Sequence, residues 1–397
     1  MSRVWEQSLQ EELEGFHKAG LHRKLTAVGQ GASPYLNWQG QRMLNLSSNN
    51  YLGLADHPMI IEAQIAAARV GAGSGASRLV VGHDLRVQEL EDAIATFKHT
   101  EAALVMASGY MANLGVLSSM LGSSDAVFSD RLNHASIVDG IRLSGAKHYR
   151  YRHNDMNHLE TLLRKADEQG IRKKLIVTDT VFSMDGDVAN LHEIVKLKEK
   201  YDAALMVDEA HAGGVFGPCG EGMCEEVGVA EHVDIHMGTF SKAFGSYGAY
   251  IAGKRVWIDY LVNTCRSLIY TTALPPAVIG GIQGSLTLVQ EANTLRSNLH
   301  AKSDYFRSAL QVNGFDTCGS TTPIIPILIG DEGTALAFSK KLAEQHIRAV
   351  AIRPPTVPSN TSRIRFTIMA NHDQAALEQA AEKIVSIGKE LGVIGHG

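Results

Sequence analysis

A chain of 397 residues is too long for one small core and calls for about two to three domain-sized units. Its 45% hydrophobic and 20% charged residues are those of an ordinary soluble globular protein. A formal net charge of −5 provides no general attraction for nucleic acid, which would need a basic stripe.

The chain opens on Met-Ser-Arg-Val-Trp-Glu-Gln, charged and amphipathic, without the apolar centre of a secretory signal. Residues 3–19 set charged and apolar side chains at roughly helical spacing. No apolar run approaches the ~18 residues of a membrane span. The four cysteines, Cys219, Cys224, Cys265 and Cys318, form no CxxC pair, disulfide framework or zinc-ligand spacing. Reduced structural thiols in a cytoplasmic protein are expected.

From about residue 55, helical patterns alternate with short apolar runs. These are Ala102–Ala107, Ala126–Ser129, Lys174–Thr178, Ala203–Val207, Val233–Met237 and Ala249–Ala252. Strands separated by helices imply an α/β fold with a mostly parallel sheet covered on both faces. After Pro275–Pro276 the rhythm changes. A long helical stretch runs to about Val312, followed by strands over Pro323–Ile329 and Arg363–Ile368 and a helix over Gln374–Leu391. The expected division is a large α/β domain over residues 55–290 and a smaller α+β domain from 1–54 plus 291–397.

Several of the apolar runs end in residues able to do chemistry. Gly71-Ala-Gly-Ser-Gly-Ala-Ser77 has the composition of a dinucleotide loop, but it follows a helical pattern over Met59–Val70 rather than a strand. A flexible loop near a ligand is expected there instead. Ser108-Gly109-Tyr110 follows a strand and opens a helix, where unmatched backbone N–H groups can cradle a phosphate. His134 follows the next strand end, and a flat imidazole there could stack on an aromatic ring or bind a carboxylate. Ser183 lies after the Lys174–Thr178 run. Its neighbours Asp179 and Asp185 read either as an acid/base pair or as caps and structural anions, with a helix beginning near Asn190.

Two further segments define a cofactor. Leu205-Met-Val-Asp208-Glu-Ala-His211 is an apolar strand delivering an aspartate at its end. Gly238-Thr239-Phe-Ser241-Lys242-Ala-Phe-Gly245 sets a lysine among small and hydroxylated residues. A Schiff-base lysine and a carboxylate partner for a pyridinium nitrogen are the pair that pyridoxal 5′-phosphate (PLP) requires. Finally, Arg353-Pro-Pro-Thr-Val-Pro358 is a loop stiffened by proline. It can hold a guanidinium in a pose suited to a carboxylate.

Taken together, these segments resemble the α-oxoamine synthase family of fold type I PLP enzymes. The matches run from Asn49-Asn-Tyr-Leu-Gly-Leu54 to Ser362-Arg-Ile-Arg365 and keep the family's order. The resemblance implies Lys242 as the Schiff-base lysine, Asp208 on the pyridine nitrogen, His211 at the phenolic oxygen and His134 on the ring. It implies Ser183, Thr239, Gly109 and Tyr110 as the rest of the cofactor's surroundings. Thr271 and Thr272 match positions that reach the phosphate across a homodimer interface. Arg23, Asn49, His134, Arg353 and Thr356 match substrate-contacting positions.

Within the family, the loop Ala351–Pro358 is most similar to that of the acyltransferases that join L-alanine to a pimeloyl thioester in biotin biosynthesis. The carrier, coenzyme A or a carrier protein, is left open, as are relatives using glycine, serine or another acyl chain. Two departures stand out. The usual Asp-Asp-Ala-His-x-Thr-Gly is here Asp208-Glu-Ala-His-Ala-Gly213-Gly, so an expected hydroxyl is missing. The glycine pair often found after the lysine is Gly248-Ala249.

Overall fold

The computed structural model describes residues 3–18 and 21–395. Residues 1–2, 19–20 and 396–397, which include the last residue of the stretch read as helical over 3–19, lie outside the described residues. Within 3–18 the helix is Arg3–Lys18.

In chain order the strands are β1 (Tyr35–Trp38), β2 (Gln41–Asn45), β3 (Ala102–Met106), β4 (Ala126–Asp130), β5 (Lys147–Tyr151), β6 (Lys174–Asp179) and β7 (Ala204–Asp208). They continue as β8 (Ile235–Thr239), β9 (Ala249–Gly253), β10 (Ile324–Gly330), β11 (Ile347–Arg348), β12 (Val350–Ile352) and β13 (Ser362–Thr367). A seven-stranded sheet in the order β3-β9-β8-β7-β6-β4-β5 forms the centre. Strands β4 to β8 are parallel, and β9 runs antiparallel to both its neighbours.

The central strands form where they do because they are buried on both faces. In β3, β4, β7, β8 and β9 almost every position is buried, and the sequence is accordingly a nearly uninterrupted apolar run. The expected strands at these places are present. The one over Val233–Met237 starts two residues later, at Ile235, because Asp234 accepts the Leu205 amide hydrogen in the preceding turn. β5 escapes a hydrophobic reading: it is an edge strand, Lys-His-Tyr-Arg-Tyr, with only Tyr151 buried.

The long helical stretch after Pro275 is two helices, Pro276–Glu291 and Asn293–Val312, broken at Ala292. Two three-stranded sheets, β1-β2-β11 and β10-β13-β12, complete the fold. Strand β11 pairs parallel with β2, so residues 44–45 and 347–348 share a sheet. Strand β13 is buried along its whole length although it carries Arg363 and Arg365. Among the described residues no helix is long and apolar enough to cross a membrane.

This is the expected α/β architecture with a mostly parallel central sheet. Parallel strands in such a sheet present ligand-binding loops at their carboxyl ends. Here that edge carries Ser108 after β3, His134 after β4, Ser183 after β6, His211 after β7 and Lys242 after β8.

Candidate active site

These loops converge on a cavity of about 230 Å³. It is lined by Gly109, Tyr110, His134, Ser183, Asp208, His211, Thr239 and Lys242, together with Ser108, Asn113, Ser136, Asp179, Ala210, Met237 and Ser241. Every predicted cofactor residue except Thr271 and Thr272 therefore borders one space.

Asp208 ends β7 and is only 3% exposed. Its carboxylate is fixed on both oxygens: Asn113 Nδ2 donates to Oδ2 at 2.8 Å, and the Ala210 amide donates to Oδ1 at 2.9 Å. Asn113 also donates to Ser136 Oγ, and its own Oδ1 is buried with no partner among the described residues. Asp179, at the end of β6, accepts the His134 backbone N–H at 2.7 Å. Burial and the neighbouring Asp208 charge push the Asp179 carboxyl well above the usual range.

The histidines are set by their neighbours. Tyr51 Oη lies 2.7 Å from His211 Nδ1. Burial, then the charges of Lys242, Arg365 and His134, holds His211 well below the ordinary histidine range, so it is neutral. Burial also drives the Tyr51 phenol up to about 12. A protonated phenol donating to Nδ1 leaves the imidazole proton on Nε2. His134 caps the helix Ala135–Ser144 through Nδ1, which meets Ser136 Oγ at 2.7 Å. Its pKa is lowered by burial, against the pull of Asp208. The Tyr110 ring stands edge-on to it, with centroids 6.4 Å apart, and is anchored by a hydrogen bond to Asp139.

Lys242 makes no hydrogen bond or ion pair among the described residues. Burial is the largest influence on it and lowers its pKa. Asp208 and Asp179 oppose that shift, while Arg365 adds to it. Thr239 Oγ1 meets Ser241 Oγ and donates to Gly248 O, each at 2.8 Å, which folds the lysine loop back on itself. Gly248 takes a φ of +97°, a conformation that favours glycine, so this departure from the usual pattern keeps the residue the turn requires.

Arg365 and Tyr51 were not singled out in the sequence. Arg365 is 9% exposed, donates from Nε to Ser183 O at 2.6 Å and from Nη2 to Asn49 Oδ1 at 3.1 Å, and acts on Lys242 and His211 by its charge. The available signal was two arginines alternating with Ile364 and Phe366 in a short strand pattern, since a buried guanidinium demands partners. Asn49 thus sits behind Arg365. Asp185 pairs with Arg363, and Asn190 caps the helix Leu191–Lys200, so Asp179 and Asp185 are held in separate structural contacts rather than as a pair.

The remaining predicted residues lie elsewhere. Thr271 and Thr272 border a different hollow, with Arg78, Met106 and Ser267. Arg23 is exposed in a segment without regular structure, and Thr356 is exposed in the turn after β12, where its amide donates to the Arg353 carbonyl.

The donor set fits PLP group by group. Lys242 offers an amine for the aldehyde, Asp208 a fixed carboxylate for the ring nitrogen, and His211 an N–H for the phenolic oxygen. The helix Gly109–Met120, capped by Ser108, has first backbone N–H groups that would take the phosphate.

The model of the class I and II aminotransferase family matches residues 41–384. The chain belongs to this family. A Bacillus cereus protein named "Putative 8-amino-7-oxononanoate synthase" is 53% identical, over 98% of this chain and 99% of that protein. Among solved structures, a serine palmitoyltransferase from S. paucimobilis with a bound PLP–myriocin aldimine superposes with a TM-score of 0.92. It is 29% identical and covers 99% of this chain and 100% of its own. An 8-amino-7-oxononanoate synthase from Francisella tularensis gives 0.76 at 28% identity, covering 87% and 97% respectively.

Proposed function

We propose that this enzyme condenses L-alanine with a pimeloyl thioester, releasing CO₂ and the free thiol to give 8-amino-7-oxononanoate, a step of biotin biosynthesis. The cofactor is PLP. The observation that carries the proposal is a cleft fitted to that cofactor in a chain 53% identical, end to end, to a relative bearing the synthase name.

PLP supplies an electron sink for a carbanion at the amino acid's Cα. The residues of this chain provide the rest. Lys242, whose charged form is disfavoured by burial and then by Arg365, would be the base that takes the Cα proton. Asp208, locked by Asn113, would keep the ring nitrogen protonated. His211 Nε2–H would hold the phenolic oxygen. His134, with Nδ1 occupied by Ser136, presents Nε2 to the thioester carbonyl or the carboxylate that leaves as CO₂. Arg365, held by Ser183 and Asn49, is the cation we assign to the amino-acid carboxylate, with Arg353 in its surroundings; Arg23, Asn49 and Thr356 are the further substrate contacts this reading expects.

A homodimer is part of the proposal. Val80, Val81, Leu85 and Tyr270 are each more than 70% exposed. They lie close in sequence to Arg78 and Thr271, which border the hollow holding Thr271 and Thr272. A second copy covering them would bring Thr271 and Thr272 to the other cleft's phosphate. Division into a 55–290 unit and a unit of 1–54 plus 291–397, and a cytoplasmic location, complete the proposal.

The 0.92 superposition favours a second reading, an α-oxoamine synthase using serine or glycine with another acyl chain. Turnover of alanine, glycine and serine with pimeloyl-, acetyl- and palmitoyl-CoA, side by side, separates them. Alanine with pimeloyl-CoA should lead; preference for serine with palmitoyl-CoA would overturn the assignment.

A further inference from the structure

We propose that His153 is a positioning residue: held as an imidazolium between Asp130 and Asp187, it fastens the loop that presents His134 to the loop that presents Ser183. The proposal rests on the cofactor assignment of the cleft.

Both ring nitrogens of His153 face carboxylate oxygens, Nδ1 at 3.0 Å from Asp130 Oδ1 and Nε2 at 2.7 Å from Asp187 Oδ2. A neutral imidazole has one N–H and one lone pair, so one of these contacts would set a lone pair against an anion. Only the imidazolium donates to both. The geometry therefore calls for the charged ring.

Each carboxylate belongs to a loop of the cleft. Asp130 is the last residue of β4, four positions before His134, and is 1% exposed. It also accepts the Leu132 and Asn154 amides at 2.8 and 2.9 Å, so it braces the start of the His134 loop. Asp187 closes the turn around Ser183: its carbonyl accepts the Phe182 amide at 3.0 Å. Its Oδ2 takes His153 and Asn154 Nδ2, while Oδ1 is buried without a partner among the described residues. The His153 ring stands edge-on to Phe182, with centroids 4.5 Å apart. Arg365 and Arg363 grip the same turn at Ser183 and Asp185. Of the grips on this turn, His153 is the one whose cation can lose its charge well below the arginine range.

The other ionisable groups nearby are Tyr151, which feels the charges of Asp130 and Asp179, and Cys318, which feels Arg363, Asp185 and Asp187. Burial works against the His153 charge. The hydrogen bonds and charges of Asp130 and Asp187 more than offset it and lift the pKa to about 9. With the folded value raised, the clasp is fully made below the ordinary ~6.5 and is released as pH rises through about 9.

The test uses cofactor-loaded protein with ¹⁵N-labelled histidine. His153 should keep both nitrogens protonated at pH 8 and titrate near 9. Asp187→Asn should lower that midpoint by about one unit or more and pull the alkaline limb of kcat down with it, which a purely structural residue would not do. His153→Gln should lower kcat by about ten- to a hundredfold, with a smaller change in the amino acid KM. An imidazole midpoint near 6.5, or an alkaline limb that stays put in Asp187→Asn while the imidazole midpoint moves, overturns the clasp alone. Absence of visible cofactor absorbance in the wild-type protein overturns the cofactor assignment and the catalytic part of the proposal together.

Discussion

Asp208 and Glu209 are neighbours at the end of β7, yet they face two different lysines with opposite consequences. Glu209 points into the core, where Lys98 Nζ lies 2.6 Å from its Oε2, both side chains being at most 1% exposed. The ammonium also donates to the Glu221 carbonyl at 2.5 Å, and the Cys224 amide donates to Glu209 Oε1 at 3.0 Å. Burial opposes both charges, but their attraction and these hydrogen bonds prevail. Lys98 is held above the ordinary lysine range and Glu209 below that of a carboxylate. Glu209, Cys224 and His236 could together hold a metal ion, but the Lys98 ammonium already occupies the carboxylate.

Across the strand end, Asp208 faces a cleft in which the charges are left incomplete. Lys242 has no direct partner among the described residues and is pushed down by burial and then by Arg365; Asp179 is pushed up by burial and by Asp208. One lysine is satisfied and serves the fold. The other is held in readiness for a ligand's charge and serves the chemistry.

The largest expected effect separates the two lysines by function. Lys242→Ala should cost at least about 10³-fold in turnover and remove the visible absorbance of the bound cofactor. The cofactor-free variant should unfold at the same urea concentration as the wild type or slightly above it. A clear loss of stability would mean that Lys242 is structural after all.

Next in size is Lys98→Met, which strands Glu209 as a buried charge and should destabilise by about 3–5 kcal/mol in urea titrations. Adding Glu209→Gln should recover much of that loss, because the uncompensated charge goes with it. Cofactor absorbance should survive in the double variant, since Asp208 keeps its Asn113 and Ala210 contacts.

The pH dependence of stability should differ in sign. Lys242 has a depressed folded pKa, so cofactor-free protein gains stability as pH rises from that value toward the ordinary ~10.4. Lys98 has a raised one, so its contribution is complete below ~10.4 and is lost only above it. Wild type minus Lys242→Ala should therefore slope upward as pH approaches ~10.4 from below. Wild type minus Lys98→Met should stay flat over that range.

Sequence patterning revealed the cleft side of this comparison better than the core side. Strands buried on both faces must be apolar throughout, so β3, β4, β6, β7, β8 and β9 stood out, and with them the strand-end residues Asp208, His211 and Lys242. What periodicity cannot supply is contact between distant segments. Tyr51 reaches His211 across 160 positions, and Arg365 reaches Asn49 across 316. Lys98 looked like any helix-end lysine, because its partner lies 111 residues away. Composition hid β5 as well, since an edge strand with one buried residue carries no apolar signature.

The smallest effect concerns the missing hydroxyl in the segment after His211. Tyr250 Oη, under the same strand ends, is buried without a hydrogen-bond partner among the described residues. A Cβ at Gly213 would lie 3.9 Å from that oxygen, 3.4 Å from Phe244 Cε2 and 3.5 Å from the Glu209 carbonyl, all ordinary contacts. A serine there fits and brings an Oγ within reach of Tyr250. Gly213→Ser should stabilise by about 1 kcal/mol through the new hydrogen bond, with a further few tenths from a less flexible unfolded chain. Tyr250→Phe should be near neutral in the parent, because it removes a group that makes no bond, and costly in the Gly213→Ser background. Additive effects in that double-mutant cycle would show that the two hydroxyls do not meet. The glycine would then be explained by packing against Phe244 instead.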